Sequence, residues 1–291
     1  MMSVIKYIFF FSLVLFCACG ESEESQKMRT KAEREKAAAA YRAAMKIGVM
    51  PTLDCLPIFL AQDHHLFDTT KVDIRLCFFN AQMDCDTALV GGSVQGCVSD
   101  SIRTQRLISK GTQLRYIAPT NTYWQLISNK AARIKELSQL SDKMVAMTRY
   151  SATDKLTDRA VEKGKPKYPV FRIQINDVTL RLNMLINNEM DAMWLPEPQA
   201  TAARLKGNPV LMDSRKENKN WGVLVFRTKD ILDARRSQQL DEFIKGYNAA
   251  CDSINKYDIK NYQDLVVKYM HVDQKTAEKL PQLKFQHASN Y

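Results

Sequence analysis

LINNEMDAMWLP, residues 185–196, repeats the layout of LVGGSVQGCVSD, residues 89–100. Two more echoes keep the same order. IGVM at 47–50 is matched by MVAM at 144–147, and IRLCFFN at 74–80 by FRIQIND at 171–177. By subtraction the offsets are 97 and 97 for these two and 96 for the first pair. Three matches in one order at nearly one offset point to a duplicated unit.

The first copy shows what that unit is. Residues 47–50 read as a strand. Residues 55–67 read as a helix, with Leu56, Phe59, Leu60 and Leu66 near helical spacing and Asp54 placed as its N-cap. Residues 72–79 read as a second strand. A short helix at 84–90 is broken by Gly91-Gly92, and residues 94–99 read as a third strand. Strand and helix alternating at this pitch predict right-handed βαβ units and mainly parallel sheets. The fold class is therefore α/β, with two similar lobes.

Ligands of open α/β sheets bind beyond the carboxyl ends of the strands. Two lobes facing each other with those ends enclose a cleft. The repeat nominates its walls as residues 51–54 and 99–103 from one lobe, and 148–154 and 196–199 from the other.

Composition bounds the rest. The chain has 291 residues, 45% apolar and 25% charged, enough for one large domain or two smaller ones. The net charge of +10 raises an anionic partner. However, the basic residues are scattered among acidic ones, with no basic run interleaved with aromatics, so nucleic acid is not expected. Residues 1–6 carry one Lys, 7–16 are almost wholly apolar, and Ala18-Cys19-Gly20 precede a polar ESEESQK. This is the order of a secretion signal, and the run is short for a membrane span of about 20 residues. Residues 20–45 are charged and Ala-rich, and read as a flexible tether running into a helical stalk. Five cysteines follow: Cys55, Cys77, Cys85, Cys97 and Cys251. An exported protein can pair some of them, but the number is odd and most read as buried small hydrophobes. No C-x-x-C spacing occurs, and Cys55, Cys85, His64 and His65 match no standard metal site. No cofactor is implied.

The cleavage region resembles a bacterial lipoprotein signal, in which a small residue precedes a lipid-modified Cys. Ala18 and Cys19 match, and Phe16 stands where Leu is usual. The resemblance implies a signal peptide over 1–19 and a lipid anchor on Cys19.

The body of the chain resembles periplasmic substrate-binding proteins of ABC importers, within the group serving nitrate, sulfonate, taurine and thiamine-precursor transporters. The resemblance covers about residues 46–250. Its carriers are LDCLPIFLAQDHHLF, ALVGGSVQGCVSD, LISKGTQLRYIAPT and NNEMDAMWLPEPQATAARL. Pro57, Phe59, Ala61 and Phe67 fit the family's first helix, and Asp191, Ala192, Glu197 and Pro198 fit its acidic strand and Glu-Pro loop. Gln95 and Gly96 stand where the first lobe usually carries an acid. The resemblance implies two hinge crossovers, near 118–123 and 214–222. Lobe 1 then comprises 46–120 plus 216–291, and lobe 2 comprises 121–215. It also implies an extracytoplasmic, monomeric protein whose closed form meets importer membrane subunits.

Within the cleft, Thr52, Asp54, Ser99, Asp100, Ser101, Thr122, Tyr123, Ser151, Thr153 and Glu197 are the candidate ligand-binding residues. Hydroxyls donate or accept, and helix starts after residues 54 and 153 favour an anion. Asp54, Asp100 and Glu197 instead favour an amine, unless Arg103 and Arg149 pair with them. The expected ligand is a small polar organic molecule with a cationic or amino group. Tyr123, Trp124 and Trp194 are candidate stacking residues, with Trp194 better read as core. Glu197 serves either as ligand carboxylate or as hinge-loop contact. An enzyme on the same fold is the rival reading, since cleft Ser, Asp and Glu could act as acid or base. The predicted cleft holds no histidine, and no catalytic residue is assigned.

Overall fold

The structure, a computed structural model, describes residues 23–289 apart from Asn218. The signal-peptide and Cys19 readings fall outside the described residues. The chain divides into two units, Met1–Ala44 and Met45–Tyr291. The described part of the first is helix α1 (Glu23–Ala43), exposed over 30–42 and without an apolar stripe. No described helix is long and apolar enough to cross a membrane.

The second unit runs through β1 (Met45–Val49), α2 (Leu56–Asp63), β2 (Ile74–Phe78), α3 (Gln82–Gly91), β3 (Gly96–Asp100), α4 (Ser101–Ser109) and β4 (Leu114–Thr120). It crosses to β5 (Trp124–Ser128), β6 (Met144–Met147), α5 (Ala152–Gly164), β7 (Phe171–Gln174), α6 (Val178–Ile186), β8 (Ala192–Pro196), α7 (Gln199–Leu205) and β9 (Val210–Asp213). It returns through β10 (Gly222–Arg227) to α8 (Thr228–Leu232), α9 (Ala234–Tyr257), α10 (Gln263–Met270) and α11 (Gln274–Glu278).

Two five-stranded sheets result, in the orders β2-β1-β3-β10-β4 and β7-β6-β8-β5-β9. The orders are the same if each strand is matched to its repeat. The first three strands of each sheet are parallel. The fourth, β10 or β5, is antiparallel to both neighbours and is the strand that follows a crossover. Strands β1, β3, β8 and β10 are buried at every position, because helices cover both faces.

The ladders correct the repeat offsets. β1 pairs with β2 29 residues on (Met45 with Ile74), whereas β6 pairs with β7 27 on (Met144 with Phe171). Matching core-facing Val49 to Met147 gives an offset of 98, and Val98 to Trp194 gives 96. The two-residue difference keeps each side chain on its face. The apparent 97 of the first two echoes was one residue out of phase with the pleat.

The same symmetry accounts for Gln95. Its Oε1 accepts the backbone N–H of Lys46 over 2.8 Å, and Oδ2 of Asp191 accepts that of Met144 over 2.8 Å. An amide oxygen thus does in the first lobe what a carboxylate does in the second.

Packing holds each sheet between its helices. Phe243 of α9 stacks on Phe67, with centroids 5.7 Å apart, and tilts against Phe226 of β10 at 5.6 Å. Burying one such ring contributes about 1.5–3 kcal/mol. Pro57 sits in the first turn of α2, where no N–H is missed. In the second sheet Trp194 is fully buried and its Nε1–H donates to Thr157 Oγ1 over 2.9 Å. All five cysteines in the second unit are free, and four of them are buried.

Candidate functional site

Strand ends of both sheets meet around one cavity of about 40 Å³. Met50, Thr52 and Asp54 come from the segment after β1, and Ser99 and Asp100 from the end of β3. The opposite wall brings Thr148, Ser151 and Thr153 after β6, and Pro196 at the end of β8. Thr122 of the first crossover and Trp124 at the start of β5 complete the lining. Contacts between the lobes ring this space. Leu53 N–H donates to Glu197 O over 2.8 Å, and Gln199 Nε2–H to Pro51 O over 2.8 Å. Arg103 Nη1–H reaches Arg149 O at 3.2 Å, and Ala81 bridges to Asp177.

The local chain explains several placements. Ser151 caps α5 by accepting the Thr153 N–H, and Thr153 Oγ1 accepts the Thr148 N–H over 3.0 Å. Asp100 caps α4 by accepting the Arg103 N–H over 2.8 Å. Asp54 does not cap α2. It lies inside a 3₁₀ turn (Leu53–Cys55), and its N-cap role is corrected. One carboxylate oxygen of Asp54, Oδ2, accepts from Thr120 Oγ1 over 3.3 Å, while buried Oδ1 has no partner.

The charges in and beside the wall fall into three kinds, with Asp54, Asp100 and Arg181 lining the cavity itself. Arg103 pairs with Asp86, a carboxylate the sequence reading had not singled out, so neither is free for a ligand. Burial pushes the Asp100 carboxyl up to about 7, opposed by the Arg103 N–H and guanidinium. Burial also raises Asp54, with the neighbouring threonine hydroxyls pulling the other way. Arg181 of α6 is buried in the wall, and burial lowers it to about 10. Its Nε–H donates to Ile175 O over 2.6 Å, Nη1–H to Trp194 O over 3.0 Å, and Nη2–H to Thr148 Oγ1.

Seven of the ten candidates line the cavity: Thr52, Asp54, Ser99, Asp100, Thr122, Ser151 and Thr153. Three lie elsewhere. Ser101 turns toward the second crossover, its N–H donating to Trp221 O over 2.7 Å. Tyr123 is buried behind the cleft, with the Arg215 guanidinium 4.2 Å from its ring centroid. Glu197 spends its carboxylate on the protein. Oε1 accepts from Tyr123 Oη over 2.8 Å and from Arg204 Nη2 over 2.9 Å, and Oε2 accepts the Thr201 N–H over 2.9 Å. Of the aromatic candidates only Trp124 reaches the cavity.

The sequence reading missed Gln82, Asn176, Val178 and Arg181. They follow β2 and β7, whose carboxyl ends obey the strand-end rule as well as those of β1 and β6. Applying the rule to all three echoes instead of two would have nominated Gln82, Asn176 and Val178. Among the described residues no group of three or more His, Cys, Asp or Glu is arranged to hold a metal ion.

Two lobes of one topology around a polar cleft define the class: an α/β protein with the periplasmic-binding-protein fold. Residues 52–266 match the NMT1/THI5-like family, and the chain belongs to it. Solved structures share the fold at low identity. The alkanesulfonate-binding protein SsuA from Xanthomonas axonopodis pv. citri, bound to MOPS, is 17% identical with a TM-score of 0.71, covering 85% of this chain and 87% of its own. The nitrate-binding protein NrtA from Synechocystis PCC 6803 is 13% identical with a TM-score of 0.70, covering 84% and 74%. A ligand-binding component of an ABC-type import system from Staphylococcus aureus, with zinc bound, is 17% identical with a TM-score of 0.69, covering 81% and 82%. No curated protein sequence matches this chain.

Proposed function

We propose that this protein is an extracytoplasmic solute-binding lipoprotein, anchored through Cys19, that captures a small polar organic ligand and delivers it to the membrane subunits of an ABC importer. The observation that carries this reading is the cleft. A small cavity lined by hydroxyls, carboxylates and one guanidinium lies between two lobes that touch across it through a few hydrogen bonds. The lobes are joined by two short crossovers, 121–123 and 214–221, outside any strand. Such joints allow hinge closure around a ligand. That the structurally similar SsuA and NrtA are an alkanesulfonate-binding and a nitrate-binding protein supports capture over catalysis.

An enzymatic role would draw on Asp100, poised to give or take a proton near neutral pH. Among the described residues the wall offers it no histidine or cysteine partner.

Native mass spectrometry of full-length protein from its membrane fraction tests the reading. A small solute bound at one per chain, lost on mild unfolding, is the expected result. The mature mass should carry lipid, and Cys19→Ala should abolish it. A chain without bound solute, and with no thermal shift across a broad solute panel, would overturn binding. Turnover of a bound compound would overturn capture.

A further inference from the structure

Gly48 of β1 lies between two cysteines. In the parallel ladders it pairs with Cys77 of β2 on one side and with Cys97 of β3 on the other. Residues in register share a face of the sheet, so the two thiols flank a position that has no side chain. Cys85 of α3, which packs on that face with Leu89, fills it. A Cβ on Gly48 would stand 2.6 Å from Cys85 Sγ and 3.0 Å from Cys97 Cβ. The bare glycine lets the helix seat its sulfur down between the strands, where the Cys85 thiol is hydrogen-bonded with Cys97. Both residues are thiols in this structure, and both are 0% exposed.

Geometry favours this pair over the others. A disulfide needs Cα atoms within about 7 Å. Cys77 and Cys97 have β1 between them, two strand spacings of roughly 4.8 Å each. Cys55 turns its sulfur to the Met50 N–H and Thr52, and Cys251 turns its own to Gln286 O.

We propose that Cys85 and Cys97 are a disulfide-forming pair, closed by thiol–disulfide exchange as the chain folds. Each thiol gives up its hydrogen, one S–S bond forms, and a disulfide-bearing oxidant is reduced to two thiols. Folding sets the timing. In the folded protein the hydrogen bond with Cys97, and then burial, hold the Cys85 thiol well above the ordinary thiol range. The thiolate that must attack is therefore scarce. Before α3 docks on the sheet neither obstacle exists, and afterwards the same burial shields the bond from reductants. The setting rests on the extracytoplasmic reading above, since oxidising compartments sustain such bonds. The pairing itself rests on the geometry and is tested apart from that reading.

The bond lies directly behind the cleft wall. Cys85 precedes Asp86, whose Oδ1 accepts from Gln82 Nε2 over 2.9 Å and from Ser99 Oγ over 3.4 Å. Gln82 and Ser99 both line the cavity. A link from Cys85 to Cys97 holds α3 and β3 at the spacing this network needs.

Refolding of the full-length chain in a mixture of oxidised and reduced glutathione tests the pairing. Free thiols are then alkylated under denaturing conditions, and peptides are mapped by mass spectrometry without reductant. Cys85 and Cys97 are expected to be joined, with Cys55, Cys77 and Cys251 alkylated. The joined form should unfold at a Tm about 5 °C or more above the reduced form. The double variant Cys85→Ala, Cys97→Ala should lose that difference. Should it fail to fold, the map of the unsubstituted chain decides alone. Alkylation of both Cys85 and Cys97 overturns the proposal, as does a bond from either to Cys77 or to another cysteine. So does a joined form that unfolds no higher than the reduced one, because a bond that strains the fold does not belong to it. The same map of protein from the cell membrane fraction tests the setting. An alkylated pair in chains that have lost residues 1–19 overturns closure during export. An alkylated pair in chains that keep those residues counts against the extracytoplasmic reading alone, and the refolding map then decides the pairing.

Discussion

The backbone N–H of Leu53 donates to the carbonyl oxygen of Glu197 across the cleft, over 2.8 Å. Beside it the Gln199 side chain donates to Pro51 O over 2.8 Å, so the turn after β1 is pinned twice to the loop after β8. Gln199→Ala deletes one pin. At about 1 kcal/mol for a net hydrogen bond, exchange of the Leu53 amide should speed up roughly 5-fold. Hydrogen–deuterium exchange resolved to residues 50–56 measures it. Unchanged exchange would mean the pins do not limit opening.

Asp100 should leave a pH signature. Its carboxyl is raised by burial from the ordinary 3.8 to about 7, so the folded state holds its proton where the unfolded chain has lost it. Between about 4 and 7 the folded state therefore binds more protons, and stability from this group falls as pH rises. Above about 7 the contribution is flat. Asp100→Asn keeps an N-cap for α4 and should erase that part of the slope. Urea unfolding of both proteins at pH 4.5, 6 and 8 measures the difference. Parallel pH profiles would refute the assignment.

Tyr123 supports Glu197 instead of meeting ligand. Its hydroxyl donates over 2.8 Å to a carboxylate that is 3% exposed. Tyr123→Phe should cost about 1.5–3 kcal/mol, the range for a hydrogen bond to a charged group. Solute affinity should change little relative to that loss. Chemical denaturation together with a binding isotherm separates the two effects.

Gly222 opens β10 where both crossovers run side by side. A Cβ there would overlap Thr120 Oγ1 and Thr122 Cγ2. Gly222→Ala should destabilise by about 1–3 kcal/mol through overpacking, and adding Thr122→Ala should recover part of it. Thermal unfolding of the single and double variants checks the pairing. Additive losses would show that the two positions do not interact.

Much of this architecture was legible because it is written locally. Apolar runs such as 192–195 and the repeated strand-helix spacing need no knowledge of distant contacts. The residues nominated at strand ends, such as Thr52 and Ser151, reach the cavity because the βαβ unit directs those ends one way. Glu197 was harder. Its backbone sits where the repeat put it, but its carboxylate turns back onto Thr201 and Arg204 of α7 and onto Tyr123 of the first crossover. Which way a side chain turns depends on partners far apart in the chain. Arg181 was illegible for the same reason: on a helix that reads as ordinary, only tertiary placement makes its guanidinium part of a wall. Gln95 reads as a departure in sequence, yet its amide oxygen accepts the Lys46 N–H as the Asp191 carboxylate accepts that of Met144.

The fourth strand of the first sheet, β10, follows the whole of the second sheet in sequence. During synthesis the ribosome therefore releases every strand of the second sheet before the first can be closed. β3 and β4 must wait side by side without the strand that belongs between them, and the Phe226–Phe243 packing arrives later still. The lobe encoded second is the first that can finish folding. The lobe encoded first spends translation with an open slot in its sheet, the stage at which this chain most needs protection from pairing with another.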